Sequence, residues 1–568
     1  MNVPHTVIRL TDFGGRPDSG EDAAEAMRRA IEETARIAGP VVLTCERGRY
    51  DFYPEHAAKA KYYISNTASE DENPNVTKTI GILLQGMRNV TLDGNGSLFI
   101  FHGKQTMIVV DGCEEVVIRN LHLDFEQPTV AEMTVEGIGA GFLDVVVHKD
   151  SRCVVENGVL TWVGEGWRFR DGPMQEYNPL TNTTWRIDNA VAAAARVEER
   201  GPGRLRLFFD AGRMPSTAVG RVFQARDGIR DQVGALVINS RKVEWRDMGV
   251  HFMHGLGLVC QFSRDVSFER MELAPRPDTG RTVAAFADCI HVSGCRGLIR
   301  VADSRFAGAH DDVINVHGTY LRVVGQPSAD ELLLRFMHPQ SYGFPAFFPG
   351  DYIEFIRSES LAAYADAVVI EAALVEPRVM RIKLDRNVPD ELRGGDVVEN
   401  VTWTPEVEIV NNRMARIPTR GILVTTRKRA LIEGNRFERM TMSAVLVAGD
   451  ARSWYESGKV DNLTIRGNTF IECGGADNAV ISISPENTAL EEKRYVHAHI
   501  VIEGNRFEMR DAPMLEASST EHLKFTDNLI VLPCKFQDAG AGIRLTACDD
   551  VSVTHNRYDS GNSGDDKK

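Results

Sequence analysis

From about residue 405 the chain repeats one phrase: apolar residues at alternate positions, a small or polar residue, Asn, any residue, then an apolar one. It reads ALIEGNRF at 430–437, LTIRGNTF at 463–470 and IVIEGNRF at 500–507, with looser copies ending near Asn412, Asn528 and Asn556. Successive Asn positions lie 23, 33, 37, 23 and 28 residues apart. A shortest interval near 23 with variable excess predicts coils of short strands that carry loop insertions. The alternation turns Ile, Val, Leu and Phe into a narrow interior. The recurring Asn suits the left-handed bend and can hydrogen-bond to its copy one coil on. Earlier relatives of the phrase stand at 89–93 (NVTLD), 115–124 (EVVIRNLHLD) and 263–273. The pattern predicts an all-β chain, a right-handed parallel β-helix beginning near residue 70.

An open solenoid end needs a cover. Residues 17–35, a Pro/Asp/Ser/Gly turn followed by EDAAEAMRRAIEETA, predict a capping helix within 22–37. Two stretches, 134–231 and 320–404, break the rhythm with longer alternating strands, Gly/Pro punctuation and the tryptophans Trp162, Trp167, Trp185 and Trp403. Loops of that length are uncommon without structure of their own, so both read as inserted β-barrel or β-sandwich units. The expected organisation is a cap and first coils over 1–60, solenoid over 61–133, 232–319 and 405–558, insertions over 134–231 and 320–404, and a disordered tail over 559–568.

Composition narrows the function. Lys plus Arg total 65 against 80 for Asp plus Glu, a net charge of −15, which argues against nucleic acid or an anionic membrane as partner. Oligomeric state stays open, a homodimer included. Nine cysteines without CxxC spacing make a disulfide framework or a zinc site improbable, so no metal and no cofactor is expected. The first ten residues lack a basic stretch followed by an apolar one, which leaves the cytosol or a secreted chain with its signal removed.

The chemistry concentrates in two strands that align without a gap, DCIHVSG at 288–294 and DVINVHG at 312–318, 24 residues apart. One coil separates them. Ile290 stacks over Ile314 and Val292 over Val316 inside, so His291 over Asn315 and Ser293 over His317 face outward. Asp288 and Asp312 then sit at the bend before each strand, about 4.8 Å apart at the backbone, with Asp311 beside them. A lone Asp-Asp pair is ordinary at a solvated turn. A third acid stacked over it predicts mutual repulsion and at least one raised pKa.

Three carboxylates set as Asp, then Asp-Asp one coil later, resemble the inverting glycosidases of the pectin-degrading β-helix. The wider text is similar to glycoside hydrolase family 110, exo-acting inverting α-galactosidases that remove terminal α-1,3-linked galactose, the blood-group B sugar included. The matching stretches are 62–69 (YYISNTAS), 89–102, 164–167 (GEGW), 310–320 (HDDVINVHGTY), 344–355 (FPAFFPGDYIEF) and 420–427 (RGILVTTR). The resemblance implies a terminal α-galactosyl oligosaccharide as substrate and implicates Asp288, Asp311 and Asp312. The Asn-Thr-Asp, Gly-His-Gly and Arg-Ile-Lys signatures of pectinases are not expected around these acids, against a uronic acid.

Inversion needs an acid and a base about 6.5 to 9.5 Å apart. Stacked Asp288 and Asp312 are too close to divide those roles, so the expected base is that pair and the expected acid Asp311. His291, Asn315, His317 and, one coil earlier, Gln261 form a polar column suited to sugar hydroxyls; Glu354 and Arg420 lie in family-like motifs, and His254 reads as a loop residue. An aromatic platform is expected from the insertions. The rival readings are a pectinase-like hydrolase or calcium-dependent lyase on the same fold, and a non-catalytic carbohydrate-binding β-helix.

Overall fold

The computed structural model describes residues 6–490, 493–532 and 542–560; the expected tail lies, from residue 561 onward, outside the described residues. Its core is a right-handed parallel β-helix whose strands stack coil on coil in two long sheets. One interior column shows how the chain builds it. Val90, Val116, Val243, Val266, Ile299, Val407, Ala430, Leu463, Ile500, Leu523 and Val551 pair in succession along the axis. Nearly all are fully buried, and each large aliphatic side chain so placed contributes about 1.5 to 3 kcal/mol.

The capping helix runs Ala24–Arg36, with Ala26, Met27 and Ala30 buried. The solenoid starts earlier than residue 70. Strand Thr6–Arg9 pairs in parallel with Val41–Thr44, which pairs with the strand Arg88–Phe101. These first coils lack the Asn phrase, and aromatics such as Tyr50, Phe52 and Phe99 fill them instead.

The Asn ladder forms through Asn412, Asn435, Asn468, Asn505, Asn528 and Asn556, with each amide bonded to the next at 3.0 to 3.1 Å. The left-handed bend belongs to the residue before it: Gly434, Gly467 and Gly504 have φ of 66°, 61° and 61°. The Asn follows the bend and satisfies the backbone that the bend exposes, as where the Asn412 N–H donates to Asn435 Oδ1 at 2.9 Å.

Two antiparallel units interrupt the solenoid. The first, between Ala131 and Ala225, is a seven-stranded sheet with a separate three-stranded one, packed on Trp162, Phe223 and Leu207. The second is a closed six-stranded barrel between Leu321 and Asn400. Each leaves and rejoins the solenoid one coil apart, so Val116 lies beside Val243 and Ile299 beside Val407.

Candidate active site

The aligned strands pair as the 24-residue offset requires: Ile290 with Ile314, His291 with Asn315, Val292 with Val316, Ser293 with His317. On the next coil Ile314 pairs with Ile422. Counting back two residues puts Asp288, Asp312 and Arg420 at equivalent places on three successive coils. The acid stack thus ends in a guanidinium, and Arg420 Nε donates to Asp312 Oδ1 at 2.9 Å. Close approach of the preceding coil needs Gly257, where a Cβ would stand 2.2 Å from the Asp288 carbonyl oxygen.

One oxygen from each of Asp288, Asp311 and Asp312 lies within 4.8 Å of the others. They sit in a cleft lined also by Asn66, Arg230, Asn315, Arg420, Asp450, Trp454, Glu456 and Glu486. That polar lining suits the hydroxyls of a sugar. Among the described residues these acids are the only group of three close enough to share a cation, but guanidinium groups already occupy many of their oxygens. Arg186 and Arg230 donate to Asp311 at 3.2 and 2.9 Å, one to each oxygen.

These contacts redistribute charge against expectation. Burial first, and then the charge of Asp311, push Asp288 up to about 7. Burial likewise pushes Asp312 to about 7, with Asp311 and Asp288 adding to it and Arg420 opposing. At Asp311 burial acts in the same direction, but Arg230, Arg186, Arg420 and Arg226 together hold it below the usual carboxylate range. These shifts favour a proton on the stacked pair and an ionised Asp311, the expected acid. The spacing argument for Asp311 also fails, because all three acids are mutually close.

The polar column divides. Asn315 lines the cleft. His291, His317 and Gln261 are 0%, 2% and 0% exposed and do not line it. They face outward from the solenoid, and the segment 62–69 covers Gln261, which accepts from Ser65 N–H at 2.8 Å and donates to the Tyr63 carbonyl at 3.0 Å. Gln261 is therefore a clamp for that segment. Glu354 pairs with Arg427 at 2.8 Å beside buried Glu399, away from the cleft. His254 bridges Thr129 and Asp231 at 2.6 and 2.7 Å, tying the two roots of the first insertion. The pectinase string Arg-Ile-Lys does occur, at 381–383, but on the barrel strand Val379–Leu384 and not in the cleft.

Sequence reading missed Arg186, Arg230, Asp450, Trp454, Glu456 and Glu486. The aromatic at the cleft comes from a solenoid loop: Trp454, 39% exposed, stacks on His338 at 4.2 Å, while Trp162 and Trp167 are buried in the first insertion. Asn66 had a signal, since it lies in YYISNTAS; its amide donates to Glu456 at 2.7 Å.

A cleft with three clustered carboxylates on a parallel β-helix holds the kind of groups that glycoside hydrolysis uses. Residues 331–398 match the family described as GLAA-B beta-barrel domain II, and residues 397–565 match the right handed beta helix region. The chain is 42% identical over 529 residues to alpha-1,3-galactosidase A of Bacteroides fragilis strain YCH46, covering 92% of this chain and 87% of that one. It is 42% identical to the Bacteroides thetaiotaomicron alpha-1,3-galactosidase A, over 95% of both chains, and 32% identical to the same organism's alpha-1,3-galactosidase B, over 97% and 91%. This chain belongs to the alpha-1,3-galactosidase family and is a glycosidase.

Proposed function

We propose that the protein is an exo-acting hydrolase of glycoside hydrolase family 110 type, removing terminal α-1,3-linked galactose from oligosaccharides with inversion. The observation that carries this reading is the Asp288, Asp311 and Asp312 cluster in a polar cleft, in a chain so similar to alpha-1,3-galactosidases. Trp454 offers a flat face for the apolar side of a hexose, and Asn66, Asp450, Glu456 and Glu486 offer partners for its hydroxyls. Blood-group B structures, with their terminal α-galactose, fall within this substrate class. This reading keeps the expectation of neither metal nor cofactor, with guanidinium groups serving as counter-charges to Asp311 and Asp312.

In a single displacement one carboxyl protonates the leaving oxygen while another holds the attacking water. Asp311 acts as acid only if galactoside binding displaces Arg186 or Arg230 and passes it the proton of the stacked pair. If that charge distribution persists on binding, the stacked pair is the acid and Asp311 the base. Leaving-group dependence separates these. Loss of the acid spares activated aryl α-galactosides relative to the natural disaccharide, whereas loss of the base slows both alike.

The close spacing favours a second reading, a retaining mechanism, whose carboxyl pairs stand about 5 to 5.5 Å apart. Proton NMR of the first sugar released from an α-1,3-galactoside decides: β-galactose supports inversion, α-galactose retention. No galactose from any α-galactoside would overturn both.

A further inference from the structure

Behind Asp288 the buried side chains continue as a chain of hydrogen bonds. Asp288 Oδ2 lies 2.9 Å from His291 Nδ1, His291 Nε2 lies 3.0 Å from His317 Nε2, and His317 Nδ1 lies 2.7 Å from the Gly318 carbonyl oxygen. The carbonyl only accepts, so His317 Nδ1 carries a hydrogen. The two facing Nε2 atoms need one hydrogen between them. If it sits on His291, burial, and then the charge of His317, keep His291 from becoming a cation, so its Nδ1 is bare and Asp288 must be the protonated donor. If it sits on His317, that ring is a cation and His291 Nδ1–H donates to an Asp288 carboxylate. Both arrangements hold the same number of protons and differ only by a hop along two hydrogen bonds.

We propose that His291 and His317 form a buried proton relay ending on Asp288, in which Asp288 and His317 hold one mobile proton between them. Removing that proton leaves either two bare Nε2 atoms face to face or a bare Nδ1 against a carboxylate. Adding a second sets two N–H groups or two donors against each other. Each defect lies in a buried site where an unmatched polar contact is costly, so the one-proton state spans a wide pH range. Asp311, Asp312, Arg230 and Arg420 face Asp288, and Glu456 and Arg230 face the histidines. Glu456 Oε1, 3.6 Å from His317 Nε2, favours the arrangement with the proton on His317. In the hydrolase reading above, on which this role rests, the relay sets whether Asp288 meets the galactoside as acid or as carboxylate. His291 and His317 are positioning residues, since neither lines the cleft.

Nitrogen-15 NMR of the histidine rings in the full chain tests the relay without any activity, with signals assigned from His291→Asn and His317→Gln. Across pH 5 to 8, whenever His317 is neutral the His291 hydrogen should be on Nε2, and whenever His317 is a cation it should be on Nδ1. A doubly protonated His291, or a His291 Nδ1–H beside a neutral His317, would overturn the relay. The kinetic consequence is separate. A glutamine at 317 can turn either its oxygen or its nitrogen toward His291 and so removes the mismatch in both charge states. In His317→Gln the limb of the kcat/KM profile that reports Asp288 should move to lower pH by about one unit or more, while Ser293→Ala in the same buried column leaves it in place. An unmoved limb in His317→Gln, or an equal shift in Ser293→Ala, would overturn the link to Asp288.

Discussion

The solenoid carries two ladders built on the same coil-to-coil spacing, and they work in opposite ways. In the Asn ladder every side chain is both donor and acceptor. Asn435 Oδ1 accepts from Asn412, while its Nδ2 donates to Asn468 and to the Ile409 carbonyl, so stacking identical groups satisfies them all. In the acid stack an ionised side chain only accepts, and copying it one coil on creates repulsion. That ladder persists because retained protons, a histidine chain and guanidinium groups take up the mismatch. Amide for carboxylate is a change of one atom, yet it separates a structural repeat from a reactive one.

Breaking the acid stack should have the largest effect. Asp288→Asn, Asp311→Asn and Asp312→Asn should each lower kcat on an α-1,3-galactosyl disaccharide by about 10² to 10⁴. Circular dichroism should show an intact β-helix in all three, and wild-type turnover by any of them would remove that residue from the chemistry.

Moving an acid into the other ladder comes next. Asn468→Asp puts a buried carboxylate between Asn435 and Asn505, losing the donor to Asn505 and to the Ile432 carbonyl. It should cost about 3 kcal/mol in denaturant unfolding at pH 8. The cost should be smaller at pH 4, where a protonated carboxyl regains one donor, and kcat below the melting transition should not change.

How legible the two ladders were differs as well. The Asn phrase and the 24-residue offset of 288 and 312 expose both, because a fixed period survives in one dimension. Arg420 occupies the third place in the acid stack but stands 108 residues after Asp312, with the barrel between them. Arg186 and Arg230 come from the first insertion and its exit, Glu456 and Trp454 from a loop of irregular length. Their approach to the acids depends on how folded units pack, which no spacing encodes. The alternation also placed His291, His317 and Gln261 on the correct face, yet it could not reveal that the 62–69 segment covers Gln261.

A smaller effect concerns stability. Asp288 titrates near 7 in the folded protein against about 3.9 in an unfolded chain. Between those values the folded state binds the proton and the unfolded state does not, so this group's contribution to stability falls as pH rises from about 4 to about 7. Asp288→Asn, which does not titrate, should therefore raise Tm relative to wild type at pH 8 by roughly 2 °C, with little difference at pH 4; calorimetry at both pH values checks the sign. The smallest effect is expected from chelation. Excess EDTA should leave kcat within about twofold, since arginines serve the acids, and restoration of a lost activity by one divalent ion would show that the stack holds metal.

The return of each insertion to the adjacent coil has a consequence for how this architecture can vary. Closing a loop costs entropy that grows only with the logarithm of its length, about 0.6 kcal/mol for each doubling. The stretch between Val116 and Val243 therefore weighs on the solenoid little more than a far shorter excursion would. What the core does sense is phase. A slip of one residue where the barrel rejoins would carry Arg420 off the acid stack and bring Thr419 or Gly421 into its place, leaving Asp312 without its guanidinium. Length in these excursions is nearly free to drift, whereas the parity of their last few residues is tied to the charge of a carboxylate on the neighbouring coil.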